Sequence, residues 1–184
     1  YVKCENDEVD GCVYPKKSRK TGYVDGSVKA SPGYFSLTMD SGIEVDMTVS
    51  HHTSLFRFNF PSGNGSSPLI LLDLTDLSDS RQDNATISVD PSTGRMTGHS
   101  RFLPSFGSGT YVAYFCADFK NAAGVRDNGI FVNSRASTDV KDLKISRSIN
   151  GYPLPVGVTI LDFCYSANST GWCICQVQLR VRNP

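Results

Sequence analysis

No excess of charge of either sign is present: 18 Lys and Arg stand against 18 Asp and Glu in 184 residues. A chain without a bulk field has nothing to draw it to nucleic acid or an anionic membrane, whereas a neutral sugar suits it as well as any partner. Long hydrophobic runs are missing too. The longest aliphatic run, Leu69 to Leu72, falls far short of the roughly 20 residues that a membrane helix needs. The opening Tyr1-Val2-Lys3-Cys4-Glu5-Asn6-Asp7 has no apolar core, which reads as a mature chain whose signal peptide has been removed. No window carries an apolar stripe of helical period and useful length, and this argues against a helical fold.

Cysteine itself is not scarce, but the C-x-x-C pair of a zinc or redox site is absent. The six cysteines are Cys4 and Cys12 in a loop-like stretch, isolated Cys116 and Cys164, and the pair Cys173-Ile174-Cys175. An even number in a domain this small reads as a disulfide set and an oxidising compartment. Three sequons agree with secretion: Asn64-Gly65-Ser66, Asn84-Ala85-Thr86 and Asn168-Ser169-Thr170. Cys4 to Cys12 is the expected N-terminal staple. If Cys164 closes one strand and Cys173 or Cys175 opens the next, a hairpin disulfide joins them and the remaining strand cysteine seeks Cys116 across the core. Six cysteines permit 15 connectivities, so the pairing stays open.

Residues 1–32 show little periodicity and carry a basic run, Lys16, Lys17, Arg19 and Lys20, read as a solvated loop or a processing site. From residue 33 the period becomes two. Ile43-Glu44-Val45-Asp46-Met47-Thr48-Val49-Ser50 alternates strictly, and Leu55 to Phe60 places three phenylalanines on one face. Leu69 to Leu74 lacks alternation and reads as a central strand covered on both sides. Further strands are expected over Thr86 to Asp90, Arg95 to Phe102, Thr110 to Phe119, Gly129 to Asn133, Val140 to Ile149, Val156 to Tyr165 and from Cys173 onward. The architecture expected is all-β: a two-sheet antiparallel β-sandwich of about ten strands over 33–184, preceded by an irregular, disulfide-stapled segment over 1–32.

Catalytic and metal signals are thin. The histidines are His51, His52 and His99, and neighbours on a strand point to opposite faces. Gly-x-Ser-x-Gly is absent, and Phe106-Gly107-Ser108-Gly109 reads as a turn. Asp73, Asp76 and Asp79, or Asp40, Glu44 and Asp46, fit turn caps and an exposed strand face better than the paired carboxylates of a glycosidase. We therefore assign no catalytic and no metal-binding residue. Three side chains are candidates for stacking or hydrogen bonding to a sugar: Trp172, Tyr152 and His51. Trp172, between Gly171 and Cys173, suits a sugar face and a disulfide equally.

Several segments resemble one family. Ala30-Ser31-Pro32-Gly33-Tyr34-Phe35-Ser36-Leu37, Ser41-Gly42-Ile43-Glu44-Val45 and Thr53-Ser54-Leu55-Phe56-Arg57-Phe58-Asn59-Phe60-Pro61 look like the N-terminal domain of glycoside hydrolase family 92, the exo-acting α-mannosidases. Leu69 to Leu74, Arg101-Phe102, Phe106-Gly107 and Tyr111 to Phe119 continue the likeness in order, so residues 30–135 are covered. The resemblance implies a sandwich that packs on a helical domain and helps shape the pocket of a calcium-dependent, inverting enzyme. It also implies that the acid, base and calcium ligands lie in that helical domain, so no catalytic residue and no cofactor transfers to this chain. The likeness fades beyond Val158.

The expectation is a non-catalytic sandwich domain related to secreted α-1,2-mannosidases, associated with mannose-containing glycans and with a catalytic domain outside this chain. It is then a piece of a longer mannosidase or a free-standing derivative whose C-terminal hairpin covers the face left by the helical domain. The alternative is a secreted structural or interaction protein, an effector or antigen, that keeps the fold without binding sugar.

Overall fold

The computed structural model describes residues 16–61, 69–73, 82–102, 106–120, 127–132, 135–145, 156–161 and 172–182. Within them lie one helical turn, α1 (Lys16–Arg19), and 13 strands. The strands are β1 (Lys29–Ser31), β2 (Tyr34–Thr38), β3 (Glu44–Val49), β4 (Thr53–Asn59), β5 (Leu69–Asp73), β6 (Gln82–Val89), β7 (Met96–Phe102), β8 (Tyr111–Lys120), β9 (Asp127–Val132), β10 (Arg135–Ser137), β11 (Asp142–Ile145), β12 (Val156–Leu161) and β13 (Trp172–Arg182). They form a nine-stranded sheet, ordered β1-β2-β3-β4-β13-β8-β7-β6-β11, and a four-stranded sheet, ordered β10-β9-β12-β5. Every pairing is antiparallel.

The period-two pattern decides which face is buried. On β3 and just before it, Ile43 and Val45 are buried while Glu44 is exposed. On β4, Phe56 and Phe58 stack at 6.3 Å and 7°, and Phe60 continues the row at 6.3 Å from Phe58. These rings pack on a cluster of Ile87, Val89, Met96 and Ala117 from the large sheet and Ile130 from the small one. The core therefore lies between the two sheets.

One turn and one bulge set the register of β6 against β7. Asp90 accepts from Ser92 N at 2.8 Å, Ser92 Oγ at 2.6 Å and Thr93 N at 3.2 Å, closing the β6 to β7 turn, and Gly94 takes φ 70° there. Those donors, the Ser92 hydroxyl first, lower the Asp90 carboxyl to about 2. Farther back on β6, the register slips between Asp83 and Thr86, a bulge in which Asn84 adopts φ 47°.

Four sequence expectations change. The described part of the segment read as irregular contains α1, the edge strand β1 and a Tyr23 to Met39 bridge. The strand at Leu69 is an edge strand among the described residues, where it pairs with β12. Leu69, Ile70 and Leu71 nevertheless line one cleft together, so the strand meets apolar neighbours along its edge and has no need to alternate. The C-terminal hairpin does not form: β12 sits between β9 and β5 in the small sheet, whereas β13 sits between β4 and β8 in the large one. Finally, Cys116 is a free thiol. Cys175 is in register with Phe119, three residues along β8 from Cys116. That is roughly 10 Å of strand, past the ~7 Å over which two Cα positions can be bridged. Cys173 lies farther still. Cys4, Cys12 and Cys164 fall outside the described residues.

Two inward-facing positions of β7 predict effects of opposite sign. A Cβ on Gly98 would stand 2.3 Å from the Thr86 carbonyl oxygen and 2.7 Å from the Phe115 ring. Gly98→Ala should lower unfolding stability by about 1–3 kcal/mol, the usual cost of overpacking. Ser100 is fully buried and its hydroxyl has no hydrogen-bond partner among the described residues. Ser100→Ala should raise stability by about 1 kcal/mol, because it removes an unmatched polar group. Urea melts of the two variants, with unchanged m, check both signs.

Candidate functional site

The same alternation that fills the core makes the outer face of the large sheet polar. Asp46 on β3 lies between Ser36 of β2 and Arg57 of β4 in the cross-strand register. It accepts the Tyr34 hydroxyl on Oδ1 at 2.6 Å and Arg57 Nε on Oδ2 at 2.8 Å. The Tyr34 hydrogen bond is the largest cause holding this carboxyl below its ordinary range; slight burial opposes it and Arg57 reinforces it. One residue pair along, Asn59 Nδ2 donates to Glu44 Oε2 at 3.0 Å. The result is an ordered patch of phenol, guanidinium, amide and carboxylate.

A second constellation occupies the other half of this face. Thr86 Oγ1 and His99 Nδ1 are 2.7 Å apart, and the His99 ring lies 5.1 Å from Tyr114 at 34°. Tyr114 remains 40% exposed although it stands mid-strand. Beside it runs a groove of about 420 Å³ lined by Thr86, Ser88, Thr97, Asp142 and Lys144. Arg95 clasps Asp118 through Nε at 2.5 Å and Nη2 at 2.9 Å. Burial first, then the Asp118 charge, push the neighbouring Cys116 thiol up, which keeps it protonated and poorly nucleophilic.

A third feature lies between the sheets. A cleft of about 300 Å³ is walled by Met39, Ile43, Phe58, Phe60 and Leu69, with Arg19 at its rim. Arg19 is ion-paired to Asp73 of β5, and their side chains are 13% and 7% exposed. This part of the basic run is therefore not a solvated loop. The pair fastens α1 to the edge of the small sheet.

Among the sugar-contact candidates, His51 is exposed in the β3 to β4 turn, while Trp172 is in register with Asn59 at the other end of β4. Roughly 20 Å of strand separates them, so they do not share one site. Tyr152 lies outside the described residues, as do the sequons at Asn64 and Asn168. Asn84 is exposed. The Tyr34, Asp46 and Arg57 cluster and the Thr86, His99 and Tyr114 cluster were not singled out from sequence. The signal for the first was there: acids alternating on β3 opposite Arg57 and Asn59 on β4 make complementary cross-strand pairs. Among the described residues no group of three or more His, Cys, Asp or Glu is placed to hold a metal ion.

Comparison with known proteins places these features in context. A family model described as the glycosyl hydrolase family 92 N-terminal domain matches residues 1–161. The match reaches further toward the N-terminus than the likeness over 30–135 and ends near Val158, where that likeness fades. A protein of Arthroderma benhamiae described as an uncharacterized secreted glycosidase is 43% identical over 169 residues, 90% of this chain and 22% of that protein. The solved structure of a family 92 inverting mannosidase from Bacteroides thetaiotaomicron superposes with a TM-score of 0.68 at 15% identity, over 89% of this chain and 19% of that one. A family 92 α-mannosidase from the same bacterium gives 0.65 at 15% identity, over 86% and 20%. The structural likeness at this identity shows the fold. The chain spans about a fifth of the length of these relatives.

The Arg19 to Asp73 pair generates a stability prediction. Asp73→Ala leaves a mostly buried guanidinium without this carboxylate and should cost about 3–5 kcal/mol, whereas Arg19→Met with Asp73→Leu should recover most of that loss. Denaturant melts of the single and double variants distinguish the two outcomes, and a double variant no better than the single would count against the account.

Proposed function

The chain belongs to glycosyl hydrolase family 92 through its N-terminal domain, and on that premise we propose that it is the non-catalytic β-sandwich of a secreted enzyme that processes mannosides. The observation that carries this reading is the coverage: nearly the whole chain aligns with about a fifth of relatives named as a glycosidase and as mannosidases. The acids of the outer face support it. Asp46 is held by Tyr34 and Arg57, Asp118 by Arg95 and Glu44 by Asn59, all as structural pairs. Glycoside cleavage instead needs two carboxylates facing one bond.

In this reading the polar half-face on β2, β3 and β4 meets the glycan. It presents closely spaced donors and acceptors, with Asp46 neutralised by Arg57 and Glu44 held by the Asn59 amide, which fits a hydroxyl-rich ligand, and the Trp172 position on β13 adjoins the Asn59 end of the patch. The catalytic acid and base, and any calcium, belong to polypeptide outside this chain. Secretion fits the relative described as secreted.

A second reading, a secreted interaction protein that keeps the fold without sugar binding, is favoured by one feature. Phe106, in the turn between β7 and β8, is 90% exposed. Sugar-independent capture of a defined protein partner that Phe106→Ser abolishes would favour it.

Titration calorimetry with α-1,2-mannobiose and with mannan tests the first reading. Weak binding, near the millimolar range of about −4 kcal/mol, is expected, with loss of at least tenfold in Arg57→Ala. No heat and no chemical-shift change at millimolar sugar would overturn glycan contact. The purified chain, assayed with calcium on aryl mannosides, should show no turnover; turnover that follows the intact chain would overturn the non-catalytic assignment.

A further inference from the structure

We propose that Asn84 carries an N-linked glycan whose first N-acetylglucosamine packs on the His99 and Tyr114 rings of the same domain. The sequon alone marks an acceptor. What the fold adds is a place for the sugar to lie.

Asn84 sits in the β6 bulge at φ 47°, a conformation that Asn tolerates better than most residues, and it is exposed while its neighbour Ala85 is 3% exposed. Asn84 is thus exposed beside buried Ala85, two residues from Thr86. Thr86, the hydroxyl residue of the sequon, is in register with His99, and His99 is in register with Tyr114. Two strand spacings, roughly 10 Å, separate the acceptor strand from the Tyr114 strand. An asparagine side chain and one pyranose ring span that distance.

The ring pair is suited to the sugar. Tyr114 keeps 40% of its surface exposed at the middle of β8, and the His99 ring is fixed against Thr86 Oγ1 at 2.7 Å. The exposed Tyr114 ring beside the half-buried, fixed His99 ring offers a low-entropy platform for the C–H face of a pyranose, and the hydroxyls of Thr97 and Ser88 line the adjoining groove. Attachment forms a bond from Asn84 Nδ2 to the anomeric carbon of a lipid-pyrophosphate-linked oligosaccharide. The anomeric carbon to pyrophosphate oxygen bond breaks, the lipid pyrophosphate leaves, and one amide proton is lost, with no change of oxidation state.

The test uses the chain secreted from eukaryotic cells, with glycopeptide mass mapping of Asn84 and thermal melts. An endoglycosidase that leaves a single N-acetylglucosamine on each site trims both the native chain and Asn84→Asp, which removes the sequon while keeping a residue that tolerates φ 47°. The trimmed native chain should melt about 2–4 °C above trimmed Asn84→Asp, as expected for a gain near one part in ten of domain stability. In a Tyr114→Ala background that difference should vanish, whatever the absolute cost of Tyr114→Ala. An unoccupied Asn84, an absent difference, or a difference that persists in Tyr114→Ala would each overturn the proposal. The comparison needs no added mannoside, so its result is independent of the glycan-contact reading above.

Discussion

Everything in the large sheet depends on β13 lying between β4 and β8. Its residues 172 to 178 pair with β4, and residues 174 to 182 pair with β8. Without it, β1 to β4 and β8-β7-β6-β11 would be separate sheets, each with a long open edge of unpaired N–H and C=O groups. Such edges are costly to bury and hazardous to expose. The last strand in sequence is thus a central strand in space, and the core cannot close until it is seated. The family-model match ends at residue 161, before β13 begins. The strand that unifies the sheet therefore lies past the stretch that the family pattern covers.

Continuity of the sheet in turn makes one broad face available to solvent. A nine-stranded sheet with apolar residues turned toward its four-stranded partner has to turn its alternate residues outward. Ion pairs on such a face contribute little stability each, because water screens them. What they supply is orientation. Asp46 holds Tyr34 and Arg57 in one geometry, and Thr86 holds the His99 ring, so polar and aromatic groups are presented in fixed positions by a stiff ladder and not by mobile loops.

Much of this was legible in the sequence, and the parts that were not share a cause. Strict alternation at Ile43 to Ser50 and the phenylalanine row on β4 identify half-buried strands because period two is a local property of the chain. The neighbours of a strand are not local. Nothing within Val156 to Leu161 or Trp172 to Arg182 tells which sheet each joins, so proximity in sequence led to a hairpin that the fold does not contain. The cysteine pairing inherited that error, since Cys116 was matched to a strand whose register places Cys175 beside Phe119. At Leu69 to Asp73, an unalternating apolar run described burial correctly but not its source: the third side is a cleft at a sheet edge, not a second covered face. Arg19 was unreadable for the same reason, because its partner Asp73 is 54 residues away.

The two halves of the outer face differ in a way that bears on function. On the β2, β3 and β4 half Arg57 neutralises Asp46 and the Asn59 amide holds Glu44, so its hydrogen-bonding groups are fixed and directional. The β6, β7 and β8 half has hydroxyls, an imidazole and a phenol around a shallow groove. Among the described residues neither half shows a deep, desolvated pocket in which a carboxylate is tuned for acid or base work, and Asp90, whose carboxyl is lowered to about 2, is exposed and held by turn donors. Catalysis by groups so well solvated would require a second surface to exclude water. Recognition would not, because sugar hydroxyls exchange water for protein hydrogen bonds at modest cost on an open, preformed face. An open, preformed polar face of this kind suits the glycan-holding role proposed above, and that proposal leaves the bond-breaking step to groups that a separate surface encloses.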